Sequence, residues 1–285
     1  SRVARVEACK ILTHGLSALI PHLKETISRC SIRQFIPQIE VAEGDEGRAI
    51  IVRHLRDFTE HDLILWRRFS EDKLVSVYLQ PAGYDSMALL KTSLSESLLG
   101  YLLEEQGLFV RFQPEQFIQV NSRMNEDLVR TALCFFGDLK NKVIDDYFCG
   151  IGNFSLPLAR KGASVHGFEL SKESVEMAST NARKNGLSDR AHFSALDLYQ
   201  ELPIEKRSCG GLLLDPPRSG AGPQFSNWLN SKSCEKIVYV SCNSESLASD
   251  SETIVSKGFK PKKIALFNMF PGTSHFETIA LYIRE

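Results

Sequence analysis

Residues 142–169 read KVIDDYFCGIGNFSLPLARKGASVHGFE, and this stretch decides the fold. A short apolar run ends in two carboxylates, Asp145 and Asp146, and two glycines follow. An amphipathic segment, a second apolar run and Glu169 complete the stretch. This order predicts a strand, a glycine turn, a helix, a second strand and an acidic residue. It is the pattern of a nucleotide-type cofactor site at the first crossover of a parallel α/β sheet.

The glycines at positions 150 and 152 indicate which kind of cofactor fits. A backbone that turns sharply and approaches a bulky ligand needs residues without a Cβ. The spacing differs from GxGxxG and no lysine–hydroxyl pair follows it, so a phosphate cradle is poorly supported. Glu169 can bind both hydroxyls of a ribose. We therefore predict S-adenosylmethionine (SAM), which has a ribose and no phosphate; an ordinary strand-to-helix turn is the alternative.

The composition is that of an ordinary globular protein. Of the 285 residues, 43% are hydrophobic and 24% are charged, which argues against wholesale disorder. No apolar run approaches the roughly 20 residues that span a bilayer, and no signal peptide opens the chain. We expect a cytoplasmic monomer without membrane contact. Because the net charge is −1, any RNA contact must come from a local basic patch or from a part outside this chain.

Seven cysteines are scattered along the chain, and none forms a CxxC pair. This usage excludes a disulfide scaffold and a self-contained zinc site, and it fits a reducing compartment. The opening residues, SRVARVEAC, contain no start methionine. We therefore expect the chain to be a piece of a longer protein.

Two domains are predicted from the apolar periodicity. Residues 1–110 are expected to form a smaller N-terminal α+β domain, and residues 111–285 a catalytic domain. In the first, we predict helices at 11–27 and 60–70 and strands at 33–43, 48–53, 75–80 and 108–112.

Strands and helices alternate in the second domain. We predict helices at 121–136, 171–186 and 246–257, and strands at 143–144, 163–168, 191–194, 211–214, 236–240, 264–268 and 278–283. This alternation predicts an α/β, Rossmann-like fold with a doubly wound, mostly parallel sheet.

Chemically active side chains follow several of these strands. In a doubly wound sheet, ligand groups gather beyond the carboxyl ends of the strands. We predict the site at that edge, with Asp197 able to reach an adenine ring. The residues expected just after a strand are Asp145, Glu169, Asp197, Asp215 and Cys242.

The fourth strand of this domain is followed by Asp215-Pro216-Pro217-Arg218. Two prolines make the backbone rigid and hold Asp215 in a fixed place near the cofactor. In one group of methyltransferases, a related sequence holds an exocyclic amine for direct methylation, usually with an aromatic residue after the prolines. Arg218 occupies that position here, so methylation of an amine is the weaker alternative.

Cys242 follows the fifth strand, where a thiolate can be exposed. A pyrimidine C5 carbon is too weak a nucleophile to attack SAM unaided, but addition of a thiolate to C6 creates electron density at C5. A base must then remove the C5 proton so that the thiol can leave, and Glu277 is the predicted base. The alternative for Cys242 is a buried structural cysteine. The DPPR and HFE segments around it favour the nucleophile.

These motifs, in this order, resemble the RNA uracil-5-methyltransferase family. The resemblance extends from about Val6 to the C-terminus and is nearest to the branch that methylates a uridine of 23S ribosomal RNA. It implies a class I methyltransferase fold, SAM as cofactor, 23S ribosomal RNA as partner and 5-methyluridine as product. The segments that carry it are FIQVN, DYFCGIGNFSLPLA, DPPRSGAG, YVSCN and MFPGTSHFE.

The resemblance also implies roles for single residues. Cys242 would be the nucleophile, and Glu277 the base that removes the C5 proton. The SAM pocket would be lined by Gln119, Phe148, Asn153, Glu169, Asp197 and Asp215.

A segment around Cys9, VEACKIL, resembles the part in which that branch supplies the last cysteine of a [4Fe–4S] cluster. The other three ligands lie in a CxxC-bearing region that this sequence does not contain, and the N-terminal TRAM domain, an RNA-binding barrel, is also outside it. One thiolate cannot hold a cluster. Cys9 is therefore expected to be a lone remnant ligand, with a cluster only in a longer protein.

Two residues near the site depart from the family's pattern. Ser244 stands where the family has the proline of SCNP, and Gly272 where it has the histidine of FPHT. We expect Ser244 to loosen the turn after the nucleophile, and Gly272 to remove an imidazole near the substrate. The nucleophile and base are retained. A catalytically silent RNA-binding or assembly protein with the same fold is the alternative from another class.

Overall fold

The structure of the protein is a computed structural model. It describes residues 6–92, 98–200, 209–231 and 234–284.

The chain divides into two compact units. The first comprises Ser1–Tyr101 and Arg111–Gln116, and the second comprises Leu102–Val110 and Phe117–Glu285. The boundary predicted after residue 110 stays a prediction.

The first unit contains a four-stranded sheet and three helices among its described residues. Their bounds are α1 (His14–Ser17), α2 (Ile20–Arg29), β1 (Gln38–Gly44), β2 (Gly47–Arg53), α3 (Glu60–Lys73), β3 (Val75–Gln80) and β4 (Ala88–Lys91). The strands lie in the order β1-β2-β3-β4, in which β2 and β3 are parallel. Leu63, Ile64, Trp66 and Phe69 were expected on the buried face of α3. Trp66 and Phe69 do lie in one buried cluster with Ile50 and Val52 of β2, whereas Leu63 is only half-buried and Ile64 is exposed. Beyond this sheet, β5 (Leu99–Leu103) pairs with β6 (Leu108–Phe112).

Prolines explain why the predicted bounds of one helix and one strand in this unit were wrong. The single helix expected at 11–27 is two helices, and Pro21 lies in the first turn of the second one. Proline is tolerated there because the first N–H groups of a helix have no intrahelical partner. The strand expected from residue 33 begins at Gln38, directly after Pro37, and a 3₁₀ turn precedes it.

The second unit has a seven-stranded sheet and confirms the predicted Rossmann-like fold. Its elements are α4 (Ser122–Phe136), β7 (Val143–Tyr147), α5 (Ser155–Arg160), β8 (Ser164–Glu169), α6 (Lys172–Lys184), β9 (Ala191–Ala195), β10 (Gly211–Leu214), α7 (Phe225–Ser231), β11 (Lys236–Ser241), α8 (Ser244–Ser256), β12 (Phe259–Phe267) and β13 (Glu277–Arg284). The strand order is β12-β13-β11-β10-β7-β8-β9. The five strands from β7 to β11 are parallel, while β13 is antiparallel to both of its neighbours.

Local signals predicted the ends of the helices well. Asn121 caps α4 by accepting a hydrogen bond from the backbone N–H of Met124 at 3.2 Å. Ser171 caps α6 in the same way, and Gly186, with φ of +68°, follows the end of that helix. Among the described residues, every helix falls short of the length and apolarity needed to cross a bilayer.

Tertiary pairing extended two strands beyond their predicted bounds. The strand expected at 143–144 continues to Tyr147, because Asp145 and Asp146 pair with strands on both sides. The strand expected at 264–268 begins at Phe259 in spite of Pro261. It is an edge strand, where a proline is tolerated, and its register shifts between Pro261 and Lys263.

The loop after β10, which contains DPPRSGAG, is held by side chains from other elements. The hydroxyl of Tyr199 donates a hydrogen bond to the carbonyl oxygen of Gly220 at 2.7 Å. The carboxylate of Asp250, on α8, accepts from the N–H of Ala221 at 2.8 Å. Gly222 has φ of +88°, and a Cβ there would lie 1.8 Å from the ring of Tyr199. Only glycine therefore fits at this point of the loop.

Gly222→Ala is expected to lower the free energy of unfolding by more than about 2 kcal/mol. The left-handed backbone costs an alanine roughly 1 kcal/mol, and displacing Tyr199 breaks a hydrogen bond of similar size. Denaturant unfolding measures the change. The matched control is Gly258→Ala, at φ of +85° with no described atom within 4 Å of the added Cβ, which should lose only about 1 kcal/mol. Equal losses would contradict the close packing of Gly222 on Tyr199.

Candidate active site

The carboxyl ends of the parallel strands bring most of the predicted residues to one edge of the sheet. Glu169 is the last residue of β8, and Asp197 lies two residues beyond β9. Asp215 and Cys242 directly follow β10 and β11. The expectation that Asp145 follows a strand is wrong, because it lies inside β7 and is fully buried.

Cys242 and Glu277 meet through the pairing of β11 with β13. Ser241 is opposite Thr278 in this antiparallel pair. Cys242 and Glu277 are the next residues outward from this pair, and the carboxyl of Glu277 raises the pKa of the Cys242 thiol, so the two side chains are close. A thiol and a carboxyl that are distant in sequence thus become neighbours at the end of the sheet.

Glu277 has the properties of a general base. Burial raises the pKa of this half-buried carboxyl to about 7. A carboxylate with a pKa near neutrality binds a proton more readily than an ordinary surface carboxylate, and a useful fraction of it is still ionised at neutral pH. The group can therefore both take up a proton and release it under physiological conditions.

The thiol of Cys242 lies in a negative environment. Burial raises its pKa, and the carboxyl groups of Glu277 and Asp215 raise it further. The guanidinium of Arg218 acts in the opposite direction. The thiol therefore keeps its proton at neutral pH, and the balance between Arg218 and the carboxylates controls how readily a thiolate forms.

Asp146 is a further carboxyl of the site that contains Asp215 and Glu277, although its sequence position alone indicated no role for it. Its pKa is raised to about 7, mainly by burial and also by the charges of Glu169 and Asp145, while hydrogen bonds from Ser155 act in the opposite direction. Burial also raises the pKa of Asp215, with contributions from Glu277 and Asp146. The paired carboxylates of the sequence were the signal, but their order along the chain did not show which one faces the site.

Among the described residues, only one oxygen of Asp146 has a hydrogen-bond partner. Its Oδ2 accepts a hydrogen bond from the hydroxyl of Ser155 at 2.5 Å. Its Oδ1 is buried and has no hydrogen-bond partner among the described residues. Buried polar atoms are nearly always paired, so an exception beside a glycine turn fits a site completed by a ligand.

The glycine turn after β7 is strongly curved. Phe148, Gly150 and Gly152 have positive φ angles of 64°, 52° and 95°. Phe148 has a side chain, so this conformation costs it about 1–3 kcal/mol, a kind of strain that clusters at functional sites. A Cβ added at Gly150 would meet no described atom within 4 Å. At Gly150, no described part of the chain therefore crowds the turn.

Glu169 fastens this turn to the end of β8. Its Oε2 accepts a hydrogen bond from the N–H of Gly150 at 3.2 Å, and its Oε1 accepts from the N–H of Ser171 at 3.0 Å. Each carboxylate oxygen has two lone pairs, so both can still accept from the hydroxyls of a ribose.

Two asparagines connect the turn to α4. Asn153 and Asn125 exchange a pair of amide hydrogen bonds at 2.8 and 2.9 Å. Asn125 is buried and was not predicted to belong to the site, since an asparagine inside a helix carries no distinctive signal.

The side chain of Asn121, the cap of α4, donates a hydrogen bond to the carbonyl oxygen of Met269 at 3.0 Å. Half-buried Gln119 lies two residues before this cap.

Asp197 is engaged in a tight turn. Its Oδ1 accepts from the N–H of Tyr199 at 2.9 Å, and its Oδ2 accepts from the side chain of Gln200 at 2.7 Å. The ring of Tyr199 lies 5.9 Å from that of Phe148. Tyr199 thus links the loop after β9 to the glycine turn, a role that no pattern in the sequence indicated.

The two departures from the family pattern have local explanations. Ser244 is the first residue of α8, whose cap is the side chain of Asn243. Asn243 also donates to the carbonyl oxygen of Arg218 at 2.9 Å, so the turn after Cys242 is held on both sides. Gly272 has φ of +87°, a conformation that strains a histidine. This backbone favours the residue that is present.

Cys9 does not fit an iron–sulfur cluster by itself. Backbone N–H groups of Leu12 and Ile11 lower the pKa of the thiol of half-buried Cys9. Across the described part of the chain, no group of three or more His, Cys, Asp or Glu side chains is arranged to hold a metal ion. No catalytic step is assigned to a cluster, and the role of Cys9 as a remnant ligand stays a prediction.

Comparison with protein families and sequences gives close matches. A family model described as tRNA (uracil-5-)-methyltransferase matches residues 86–285. A relative from Hahella chejuensis, named 23S rRNA (uracil(1939)-C(5))-methyltransferase RlmD, is 39% identical over 97% of this chain and 63% of its own length. One of the same name from Aromatoleum aromaticum is 38% identical over 100% of this chain and 66% of its own. The chain thus spans slightly less than two thirds of these relatives.

A solved structure confirms the fold. The tRNA (uracil-54, C5)-methyltransferase of Pyrococcus abyssi, in complex with S-adenosyl-L-homocysteine, superimposes with a TM-score of 0.77. The match covers 99% of this chain and 70% of that one, at 21% sequence identity. The predicted class I methyltransferase fold is therefore correct, while the roles of the single site residues stay predictions.

Glu277→Gln is expected to lower the pKa of the Cys242 thiol, because it removes a negative charge that raises that pKa. Alkylation of Cys242 by iodoacetamide, followed by mass spectrometry over a pH series, should then begin at lower pH than in the unmodified protein. The exposed Cys134 is an internal reference for the reagent. The two profiles should converge below pH of about 7, where Glu277 itself is protonated. Identical profiles at every pH would contradict the proximity of the two side chains.

Proposed function

The chain belongs to the tRNA (uracil-5-)-methyltransferase family, and from this premise we propose that it methylates C5 of a uridine in 23S ribosomal RNA, with SAM as methyl donor and Cys242 as covalent nucleophile. The observation that carries the proposal is the register of β11 and β13, which ends with Ser241 opposite Thr278, together with the effect of the adjacent Glu277 carboxyl on the pKa of the Cys242 thiol. The choice of 23S rRNA as substrate is supported by two relatives, 39% and 38% identical in sequence, whose names state that they methylate this RNA.

The residues around the glycine turn fit SAM. A Cβ at Gly150 would meet no described atom within 4 Å, and the Oδ1 of Asp146, which has no hydrogen-bond partner among the described residues, is an acceptor that a ligand can satisfy. In the proposal, Glu169 accepts the ribose hydroxyls and Asp197 contacts the adenine. When bound, SAM supplies an electrophilic methyl group. The rest of its pocket is lined by Gln119, Phe148, Asn153 and Asp215.

Cys242 activates the pyrimidine in this proposal. Its thiol first loses a proton to solvent, a step that Arg218 favours through its charge. The sulfur then forms a bond to C6, and the C5–C6 π electrons move onto C5 and the C4 carbonyl. C5 next forms a bond to the methyl carbon while the bond from that carbon to the sulfonium sulfur breaks, which leaves S-adenosylhomocysteine. The thiolate is needed because C5 by itself is a poor nucleophile.

Glu277 completes the reaction. Its carboxylate takes the proton from C5, the electrons of the C5–H bond restore the C5–C6 double bond, and the sulfur–C6 bond breaks to release the thiolate. The net change replaces the C5 hydrogen with a methyl group and releases one proton. A pKa of about 7 lets Glu277 return that proton to solvent before the next cycle.

Cys242→Ala is expected to abolish methyl transfer, because no other group can add to C6. The assay follows labelled methyl transfer from SAM to unmodified 23S RNA, with the product identified by mass spectrometry. Cys134→Ala, at an exposed position on α4, is the control and should keep full activity. Turnover by the Cys242 variant would refute the covalent route. An N-methylated product would favour amine methylation instead.

Glu277→Gln is expected to stop the cycle after methylation, because the C5 proton is then not removed. A covalent protein–RNA species that carries the labelled methyl group should accumulate as a slow band on a denaturing gel. The double variant Cys242→Ala/Glu277→Gln should give no such band. Release of free methylated RNA by Glu277→Gln at the rate of the unmodified protein would exclude Glu277 as the base.

Glu169→Gln is expected to weaken binding of S-adenosylhomocysteine at least about tenfold, since hydrogen bonds to a charged group contribute roughly 1.5–3 kcal/mol. Isothermal titration calorimetry measures the affinity. Glu173→Gln, on the exposed surface of α6, is the matched control and should bind as the unmodified protein does. Absence of binding by the unmodified protein at millimolar ligand would favour a catalytically silent scaffold.

A further inference from the structure

Positive charge is concentrated at one edge of the large sheet. The chain as a whole has a net charge of −1, yet residues 257–263 read KGFKPKK, with four lysines and no acid. Lys260, Lys262 and Lys263 of β12 are exposed. The strand β12 is the last in the strand order, so this basic segment borders solvent along the sheet edge.

The register shows which face of the sheet two of these lysines share. Lys260 is opposite Ile283 and Lys263 is opposite Leu281, and the bulge between Pro261 and Lys263 lets both fall on one face. Cross-strand partners project to the same side, and residues two apart along a strand do so as well. Glu277 is an even number of residues from Leu281 and Ile283 along β13, so its side chain projects to the same face as theirs. The lysines therefore share a face with the proposed base.

The distance along this face is short. Phe267, the last residue of β12, is opposite Glu277. Lys263 is four residues from Phe267, which is about 13 Å at the rise of a strand, and Lys260 is about 20 Å away. The ammonium group of Lys263 lies 5.8 Å from the centre of the Phe135 ring of α4, the helix that packs on this face. A chain lying along β12 would reach the Cys242–Glu277 pair within a few nucleotides.

From this juxtaposition we infer that the lysine-bearing edge of β12 binds the phosphate backbone of the RNA and directs the strand toward Cys242. The inference rests on the proposed function and names the surface through which its substrate docks. Charge complementarity favours a polyanion as the occupant, because β12 has no acidic residue and β13 has only Glu277 among its described residues. Lysine–phosphate contacts position a nucleic acid without reading its sequence.

Edge protection is the competing explanation for these lysines. Charged side chains on an edge strand prevent it from pairing with another protein chain. Ile264 and Leu266, each 69% exposed, lie on the opposite face of the same strand. These apolar side chains would favour association of the edge with another chain, so charged residues that prevent it would be useful. A glutamate protects an edge as well as a lysine does but repels phosphate. Charge reversal therefore separates the two explanations.

The test compares three double variants with the unmodified protein. Lys260→Glu/Lys263→Glu reverses the charge of the edge, and Lys260→Arg/Lys263→Arg keeps it. Lys161→Glu/Lys184→Glu makes the same change of charge at exposed positions near the other end of the sheet. Binding of a fluorescent, single-stranded fragment of unmodified 23S rRNA is measured by anisotropy over a series of salt concentrations, together with kcat and KM for methyl transfer.

The Lys260→Glu/Lys263→Glu variant should bind the RNA at least roughly tenfold more weakly at low salt. The slope of log K against log salt should become shallower by about 1.4, since each lost phosphate contact on a single strand contributes about 0.7. KM for RNA should rise with kcat unchanged. The arginine variant should match the unmodified protein, and the Lys161→Glu/Lys184→Glu control should keep its salt slope.

Two outcomes would overturn the inference. One is RNA binding by Lys260→Glu/Lys263→Glu that equals the control. The other is self-association of that variant in size-exclusion chromatography, with RNA affinity unchanged in its monomer, which would leave edge protection as the role. If the unmodified protein binds RNA with the expected slopes but transfers no methyl group, the proposed function fails while the docking surface stands.

Discussion

The antiparallel return of β13 beside β11 is the constraint on which the proposed chemistry depends. Five strands of the large sheet are parallel, and ligand groups gather at their carboxyl ends. A sixth parallel strand would bring only its own last residue to that edge. Because β13 runs the other way, its first residue, Glu277, lies at the edge, next to the pair formed by Ser241 and Thr278 and close to Cys242. A register shift of one residue would move the carboxyl to the other face of the sheet and separate nucleophile from base.

The same arrangement has an electrostatic cost that fits the proposed function. Burial raises the pKa values of Asp146, Asp215 and Glu277, and neighbouring carboxyl groups add to the rise at Asp146 and Asp215. Glu277 and Asp215 in turn raise the pKa of Cys242. A cluster of this kind opposes formation of a thiolate in the free protein. A sulfonium cofactor and an arginine beside the thiol bring positive charge to the same place. Reactivity in such a site would rise only once its ligands are bound.

Backbone conformation supports the site at three points. Phe148 holds a left-handed conformation that strains a residue with a side chain, Gly222 packs against the ring of Tyr199, and Gly272 adopts an angle that disfavours the family's histidine. The hydroxyl of Tyr199 donates a hydrogen bond to the loop after β10, and the carboxylate of Asp250 accepts one from it, so this loop is fixed in position. The loops around the site are therefore positioned by the packed sheet and helices beneath them.

Local chemistry in the sequence determined much of this protein: the strand–turn–helix order, the helix caps at Asn121 and Ser171, and the residue types that follow the strands. Such features depend on neighbours within a few residues, so they can be read from the chain. The tertiary structure decided what depends on pairing between distant segments. It put Asp145 inside a strand, left one oxygen of Asp146 without a hydrogen-bond partner among the described residues, and made Cys242 and Glu277 neighbours, because strand register is set by the packing of the whole sheet.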